Sequence, residues 1–142
     1  MIIRDAKTDD AEVVAELIRV LAASEDDVSP VTAEYAAAYL ATDGRHALLA
    51  ERDSRAVGLL TYSFHPGLWH AATSAVVDEV VVRPETRGAG VGDALVAEAM
   101  RRFAAAGCAE ASVTTGLDNE PAKALYRKHG LTDEALLLER HF

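Results

Sequence analysis

At positions 87–92 the chain reads Arg-Gly-Ala-Gly-Val-Gly, a glycine-rich stretch set between a strand pattern and a helix pattern. The valine-rich run 75–82 precedes it, and residues 93–103 after it place apolar side chains at the spacing of a helix face. Glycines let the backbone approach a ligand and adopt positive φ. A helix start offers unpaired N–H groups and a partial positive charge. The stretch therefore predicts a site for a phosphorylated ligand.

Three interpretations of this glycine loop compete. A P-loop requires a Lys-Ser/Thr pair after its glycines, and none follows here. The dinucleotide fingerprint is Gly-x-Gly-x-x-Gly after the first strand, whereas Gly88, Gly90 and Gly92 alternate with single residues beyond the middle of the chain. The third interpretation is the pattern Arg-x-x-Gly-x-Gly, formed by Arg87, Gly90 and Gly92. A glycine-rich turn that binds nothing is the structural alternative.

A second motif lies downstream, at positions 117–130, and reads Leu-Asp-Asn-Glu-Pro-Ala-Lys-Ala-Leu-Tyr-Arg-Lys-His-Gly. Asn119 can cap a helix and Gly130 can end it. Together with the loop at Arg87, the run from Asn119 to Tyr126 resembles the signatures of the GNAT superfamily of N-acetyltransferases. The resemblance covers the C-terminal half in detail and the N-terminal half only in the order of its elements.

That resemblance implies an α/β fold with a mixed, mostly antiparallel central sheet, a splayed parallel strand pair and about four flanking helices. The whole chain, 1–142, is expected to form a single acetyltransferase domain. The sequence itself predicts the order β-α-α-β-β-β-α-β-α-β, with His65-Pro66-Gly67 interrupting the chain before a long strand that ends at Val82. The predicted ranges are a strand at 2–4, a helix capped at 8–10, a helix from 31 or 32 to 41, a hairpin of strands 47–51 and 56–64 around a four-residue turn, the strand ending at 82, a helix at 91–106, a strand at 110–115, a helix at 120–129 and a last strand at 134–140.

Composition narrows the possible functions. Half of the 142 residues are apolar and only 6% are aromatic, so the core is expected to consist of Val, Leu and Ala. No run approaches the roughly 18 apolar residues of a membrane span, and the first residues lack a signal-peptide layout, so a cytoplasmic protein is expected. The single cysteine, Cys108, is interpreted as a packing residue. A net charge of −9 argues against nucleic acid as a partner and is compatible with cationic substrates.

Two carboxylates lie on the strand that leads into the loop, Asp78 and Glu79. A typical amine has a pKa near 10, so about one molecule in a thousand is a free nucleophile at neutral pH, and some group must accept its proton. In GNAT enzymes that act on polyamines and some aminoglycosides, the strand acid lies nine residues before the loop arginine, which is the place of Asp78. Strand alternation puts Asp78 with Val80 and Val82 on one face and Glu79 on the other. Glu79 is the second candidate, and a solvated or ion-paired strand residue is the alternative for Asp78.

The resemblance also implies the remaining roles. Tyr126 matches the family tyrosine that protonates the coenzyme A thiolate, and its alternative is a half-buried packing residue. Asn119 resembles a residue that hydrogen-bonds the pantetheine arm of acetyl-CoA, and its alternative is the helix cap. Backbone groups of Val80 and Val82 are expected to pair with the pantetheine as an added strand would. The pyrophosphate is expected on the backbone N–H groups of Arg87, Gly88, Ala89, Gly90, Val91 and Gly92.

Other polar residues carry weaker signals. His65 and His70 could line an acceptor pocket or relay a proton, and surface histidines are the alternative. No pair of histidines has metal-ligand spacing, so no metal is predicted. The acidic run 25–27 lies in the loop that shapes the acceptor site in this family, although such a run is commonly just solvated.

The leading hypothesis is an acetyl-CoA-dependent N-acetyltransferase that acts directly on the primary amine of a small, cationic metabolite. Acetylation of a protein N-terminus or lysine is the second enzyme hypothesis. A non-catalytic acyl-CoA-binding module is a third, but such a module would lose the acid and the phenol, and this chain has both. A homodimer is expected from the family.

Overall fold

A computed structural model describes residues 1–142 and contains five strands and four α-helices, with short 3-10 turns at Thr8–Asp10 and Pro84–Thr86. The elements in chain order are β1 (Ile2–Asp5), α1 (Ala11–Ser24), α2 (Ala33–Leu40), β2 (Arg45–Arg52), β3 (Arg55–Gly67), β4 (Ala72–Val82), α3 (Val91–Ala105), β5 (Glu110–Val113) and α4 (Glu120–Lys128). None of the helices has the length and apolar character that spanning a membrane requires.

The five strands form one sheet in the order β1-β2-β3-β4-β5. Neighbouring strands are antiparallel except β4 and β5, which are parallel because α3 crosses over between them. The α/β fold class is confirmed, with four helices around a mixed, mostly antiparallel sheet.

The helices cover both faces of the sheet, and strand alternation supplies a core to each side. On one side, which we call the α1–α2 face, α1 and α2 pack over Leu49 and Leu59. On the other side, the α3–α4 face, α3 and α4 pack over Leu48 and Leu60. Adjacent leucines of one strand thus serve opposite cores, as the period of two requires.

The β2–β3 hairpin is longer and tighter than predicted. Arg52 pairs with Arg55, so the turn consists of two residues, Asp53 and Ser54, and not four. Both have positive φ, 51° and 61°, which matches the twist of a two-residue hairpin turn. The predicted interruption at 65–67 was also wrong, because β3 continues to Gly67.

Pro66 is tolerated within β3 because of where it lies in the sheet. It pairs with Thr73 of β4, while the ladder from β3 to β2 already ends at Ser63. One side of Pro66 therefore faces no strand, and its missing N–H breaks no ladder bond there. The chain then reverses through residues 68–71 into β4.

The last predicted strand, at 134–140, is not formed. Residues 129–142 belong to no helix or strand, and the side chains from 132 onward are exposed. The apolar run Leu136 to Leu138 gives a strand-like local pattern, but β5 is the last strand of the sheet. A strand needs a neighbouring backbone to pair with, and in this structure the segment has none.

Gly58 lets the sheet and α3 approach each other, and this contact positions the start of α3. A Cβ at Gly58 would lie 2.7 Å from Val91 Cγ1 and 3.0 Å from Leu95 Cδ1. Val91 is the first residue of α3 and belongs to the glycine loop.

We expect Gly58→Ala to lower the free energy of unfolding by about 1–3 kcal/mol, because the added methyl group overpacks a filled interface. Urea unfolding followed by circular dichroism would measure the change. Gly116→Ala is the matched control, since a Cβ there would meet its nearest neighbour, Asn119 Cβ, at 3.9 Å. Equal stability of the wild type and Gly58→Ala would refute the close approach.

Candidate active site

The glycine loop has the backbone geometry of an anion site. Gly88 and Gly90 adopt φ of 80° and 81°, and Gly90 is the N-cap of α3. A Cβ at either glycine would meet nothing within 4 Å, so the requirement for glycine there is conformational and not one of space. No backbone N–H from Gly88 to Asp93 donates to a backbone acceptor. Six consecutive donors at a helix N-terminus are a suitable cradle for phosphate oxygens.

The loop is tied to α4 by packing and by charge. A Cβ at Gly92 would lie 3.3 Å from Leu125 Cδ2, so α4 approaches the first turn of α3 closely. The Asp93 carboxylate contacts Lys128 Nζ at 2.9 Å and His129 Nε2 at 2.8 Å. Lys128 and then His129 lower the pKa of Asp93. The one carboxylate in this turn is therefore charge-paired, which limits its repulsion of a bound anion.

The edge of β4 is free where a cofactor arm was predicted to pair. The ladder with β5 covers only Ser74 to Val77 of β4. On the other side, Arg83 N–H donates to Val57 O at 2.8 Å. Because bonded and non-bonded pairs alternate in an antiparallel ladder, the N–H and C=O groups of Val80 and Val82 point away from β3, toward that free edge. Arg87 Nε contacts Val82 O on this side at 3.4 Å.

A β-bulge in β4 decides where the two carboxylates face. Thr61 pairs with Glu79 and Tyr62 pairs with Val77, so Asp78 is an extra residue without a cross-strand partner. The Asp78 carboxylate bonds to Ser63 and the Glu79 carboxylate bonds to Thr61. Thr61 and Ser63 lie two residues apart on β3 and share one face. Both carboxylates therefore lie on the α1–α2 face.

This placement corrects the alternation predicted from the sequence. Val80 and Val82 pack against the α3–α4 core, while Asp78 lies on the opposite side, with Glu79. Strict alternation of side chains between the two faces holds only in a regular strand. One inserted residue reverses the face of every later side chain in that strand.

The Thr61 hydroxyl forms hydrogen bonds with both the backbone and the side chain of Glu79. Thr61 Oγ1 accepts the Glu79 N–H at 3.1 Å and donates to the Glu79 carboxylate. Thr61 is buried. Burial raises the pKa of Glu79, the Thr61 bond opposes that rise, and the charge of Asp78 adds to it. The result is a carboxylate whose pKa is moved toward neutrality, which suits a group that must take up a proton.

Asp78 is held by a chain of two hydrogen bonds. Ser63 Oγ donates to Asp78 Oδ2 at 3.2 Å, and His65 Nε2 lies 3.0 Å from Ser63 Oγ. Because the serine proton is given to Asp78, Nε2 of His65 must be the donor, which leaves Nδ1 of the ring free. No arginine or lysine nitrogen lies within 4 Å of either carboxylate in the pair.

Three residues of this cluster were not identified from the sequence. Thr61 and Ser63 alternate with Tyr62 and Phe64 on β3, and that polar alternation in an apolar strand was an available signal. The third, Tyr39 of α2, lies close enough for the charges of Glu79 and Asp78 to act on it. Burial first, and then those charges, raise the pKa of Tyr39 to about 12. No pattern in the sequence of α2 predicts that contact.

Tyr126 lies on the other face of the sheet. It is 9% exposed and belongs to the α3–α4 core together with Val80 and Val82. Burial raises its pKa, so the phenol stays protonated near neutral pH. The structure contains no buried side-chain oxygen or nitrogen that lacks a hydrogen-bond partner, and the Tyr126 hydroxyl is therefore not such an atom. Tyr126 therefore has the packing role that the sequence analysis gave as its alternative, and this position is compatible with a proton-donating role.

The remaining predicted residues are more dispersed. Asn119 caps α4, with Oδ1 accepting the Ala122 N–H at 3.3 Å, so its helix-capping role is present and its amide Nδ2 remains available. His70 lies in the turn after β3, 3.6 Å from Glu110 Oε2. The acidic run 25–27 is exposed after α1. Of the two histidines considered, the structure brings only His65 to the carboxylates.

A mixed sheet with a glycine-capped crossover helix and a free β4 edge defines the class of this fold. The sequence profile described as the acetyltransferase (GNAT) family matches residues 13–131. The chain therefore belongs to the GNAT acetyltransferase family.

Two proteins that are similar to this chain in sequence are named for different acceptors. An aminoalkylphosphonate N-acetyltransferase of Salmonella typhimurium is 30% identical over 128 residues, 90% of this chain and 82% of that protein. A Bacillus subtilis protein, provisionally named a ribosomal protein bS18-alanine N-acetyltransferase, is 27% identical over 86 residues, 61% of this chain. That alignment spans about half of the Bacillus protein, 53% of its length.

The solved structures support the fold. An aminoglycoside acetyltransferase from an uncultured soil metagenomic sample superposes with a TM-score of 0.84 at 19% identity, covering 99% of this chain and 94% of that one. At this identity the match establishes the shared architecture alone.

The environment of Glu79 predicts opposite responses to two substitutions. Asp78→Asn removes a neighbouring negative charge, so the pKa of Glu79 should fall. Thr61→Val removes a hydrogen bond to the ionised carboxylate, so that pKa should rise. Titration of the carboxyl carbons by NMR would measure both shifts, with Ser74→Ala as a control on the same sheet. Shifts of the same sign in the two variants would contradict this account of the site.

Proposed function

We propose that this chain transfers an acetyl group from acetyl-CoA to the primary amine of a small, cationic metabolite by direct transfer. The observation that carries the proposal is the pair Asp78 and Glu79, two carboxylates without a cationic partner, beside a free strand edge and an anion-binding loop. Unpaired carboxylates on one face attract an ammonium group, and the loop fits the phosphates of a nucleotide.

The donor would be held mainly by backbone groups. The N–H groups from Gly88 to Gly92 would receive the pyrophosphate. The Arg87 N–H, also expected as a donor from the sequence, is instead bonded to Pro84 O at 3.3 Å, and the Arg87 side chain lies nearby. The pantetheine amides would pair with Val80 and Val82 along the edge that β5 leaves open. Asn119 would contribute its amide Nδ2, because its Oδ1 already caps α4.

The reaction needs a proton acceptor on the side of the amine. We assign that role to Glu79, because burial moves its pKa toward that of an effective base at neutral pH. Asp78 came first in the sequence hypothesis, and here it would draw in the ammonium group and keep the pKa of Glu79 high. Once the amine has lost this proton, it forms the C–N bond to the thioester carbonyl and the C–S bond breaks, while the second proton that the nitrogen loses passes to water.

The leaving thiolate needs a proton on the opposite side. Tyr126 lies on the α3–α4 face while the carboxylates lie on the α1–α2 face, and Val80 lies at the edge between them. A thioester placed at that edge would have the acceptor amine on one side and the phenol on the other. The phenol would protonate the thiolate, and close placement of amine and thioester would supply much of the rate.

A protein N-terminus is the second candidate acceptor, because the Bacillus relative bears a ribosomal-protein-alanine name. The Salmonella relative, matched over more of its length, bears the name of a small-molecule enzyme and supports the leading proposal. The proposal also includes one acetyltransferase domain over 1–142, a homodimer in the cytoplasm, and no nucleic acid or membrane partner. The net charge of −9 and the free thiol of Cys108 are compatible with those expectations.

A coenzyme A release assay over amines, amino acids, aminoglycosides and peptides tests the proposal. We expect turnover with at least one small amine, and a fall in kcat of about 100-fold for Glu79→Gln. Glu85→Gln, at an exposed acid outside the carboxylate cluster, is the control and should keep full activity. Tight acetyl-CoA binding without turnover of any amine would favour a binding module, and turnover of peptides alone would favour the protein acceptor.

Tyr126→Phe should slow turnover by about 100-fold while the Kd for acetyl-CoA changes less than twofold, because only the proton donor is removed. Single-turnover kinetics and calorimetry would separate the two quantities. Tyr35→Phe, at an exposed tyrosine of α2, is the matched control. Full activity of Tyr126→Phe would make Tyr126 a packing residue only.

A further inference from the structure

A cationic side chain, Arg45, lies on the same face of the sheet as the carboxylate cluster and has no role in the fold or in the proposed reaction. Arg45 is the first residue of β2 and pairs directly with Ser63 of β3. Side chains of directly paired residues lie on the same face, with Cβ atoms about 5 Å apart. Ser63 in turn donates to Asp78 on β4. Arg45, Ser63 and Asp78 therefore form a row across three strands on the α1–α2 face.

The guanidinium of Arg45 is not neutralised by the protein. Its side chain is exposed, and no carboxylate lies within 4 Å of it, whereas Arg4, Arg83 and Arg102 each have an ion-pair partner. Its charge nevertheless reaches the cluster, because it opposes the rise of the pKa of Tyr39 that Glu79 and Asp78 cause. The site thus has an unpaired positive end as well as an unpaired negative end.

The two ends are separated by about two strand spacings, close to 10 Å between backbones, and the long arginine side chain can shorten that distance. His65 lies on β3, the strand between them, and because its Nε2 donates to Ser63, its Nδ1 is a hydrogen-bond acceptor. A ligand with a single cationic group would satisfy only the negative end. A diamine would bring its second ammonium group toward Arg45 and be repelled.

We propose that the acceptor is a zwitterion, a primary amine that also bears an anionic oxyacid group such as a carboxylate or a phosphonate. The amine would face Glu79 and Asp78, and the oxyacid group would be recognised by Arg45. A planar guanidinium binds two oxygens of such a group at once, which gives Arg45 its specificity. This inference rests on the proposed function, because it concerns the acceptor of the same site. It revises one part of that proposal: the ammonium group of the acceptor is accompanied by an anionic group, so the molecule is not a net cation.

The test compares four acceptors of similar length: 3-aminopropanoate, 2-aminoethylphosphonate, 3-aminopropanol and 1,3-diaminopropane. We expect kcat/KM for the better of the two acidic amines to exceed that for the alcohol at least tenfold, and the diamine to be the poorest. The carboxylate and phosphonate arms distinguish the two oxyacid sources. In Arg45→Gln, the ratio of kcat/KM for the acidic amine over the alcohol should fall about tenfold, mainly through KM.

Arg52→Gln is the matched control, because Arg52 is also exposed, has no carboxylate within 4 Å and lies at the opposite end of β2. That variant should keep the wild-type ratio. A wild type that prefers the alcohol or the diamine, or an unchanged ratio in Arg45→Gln, would overturn the inference.

A binding measurement separates this inference from the proposed reaction. Calorimetry of the four amines with the protein saturated in coenzyme A needs no turnover. Binding of an acidic amine that weakens about tenfold in Arg45→Gln supports the zwitterion site even if no acetyl transfer occurs, in which case only the proposed function fails. Binding that is equal for all four amines, or absent for both acidic amines, refutes the zwitterion site.

Discussion

The hydrogen bonds between Thr61 and Glu79 stabilise the β-bulge in β4, and the rest of the site depends on that bulge. By accepting the Glu79 N–H, the Thr61 hydroxyl takes the place of a ladder partner at the bulge, and by donating to the carboxylate it orients the same residue. A buried N–H without a partner costs about 1–3 kcal/mol, so this hydroxyl makes the extra residue at Asp78 tolerable. Without the bulge, the two carboxylates would face opposite sides of the sheet.

The bulge also connects the two halves of the site. Downstream of it, Val80 and Val82 turn their side chains into the α3–α4 core, and their backbone groups face the edge that β5 does not cover. The strand then leads into the glycine loop, whose position is fixed by the close contact between Gly58 and the first turn of α3. One strand thus presents acids on one face, backbone donors and acceptors at its edge, and an anion cradle at its end.

The sequence predicted those parts that depend on local chemistry. The glycine loop was identified because positive φ and a helix start leave a direct mark in residue type, and the structure has both at Gly88 and Gly90. Asp78 and Tyr126 became candidates through the resemblance to the GNAT superfamily, and Glu79 as the second carboxylate on the same strand. Their roles stay proposals, but the structure places the two acids together.

The parts that were not predicted depend on distant contacts. Whether Asp78 faces Ser63 or the opposite core is decided by a bulge that involves β3, and no residue of β4 alone signals it. The strand at 134–140 was predicted from apolar residues, although pairing requires a partner that local pattern cannot provide. Tyr39 approaches the site only because α2 packs on the same face of the sheet, and Arg45 only because β2 pairs with β3.

The electrostatics of the cluster argue that it was not selected for stability. A carboxylate such as Glu79, shielded from water and next to a second carboxylate, is destabilised in its charged form, which is why its pKa is raised. Elsewhere the chain pairs its partly buried charges, as Asp10 does with Arg4 and Glu16 with Arg83. Here the acids and Arg45 lie on one face and are left unpaired with each other. Asp78 and Arg45 are exposed to water, while Glu79 bears the cost of burial. A ligand with an ammonium group at one end and an anionic group at the other would compensate all three charges, which supports the proposed binding site.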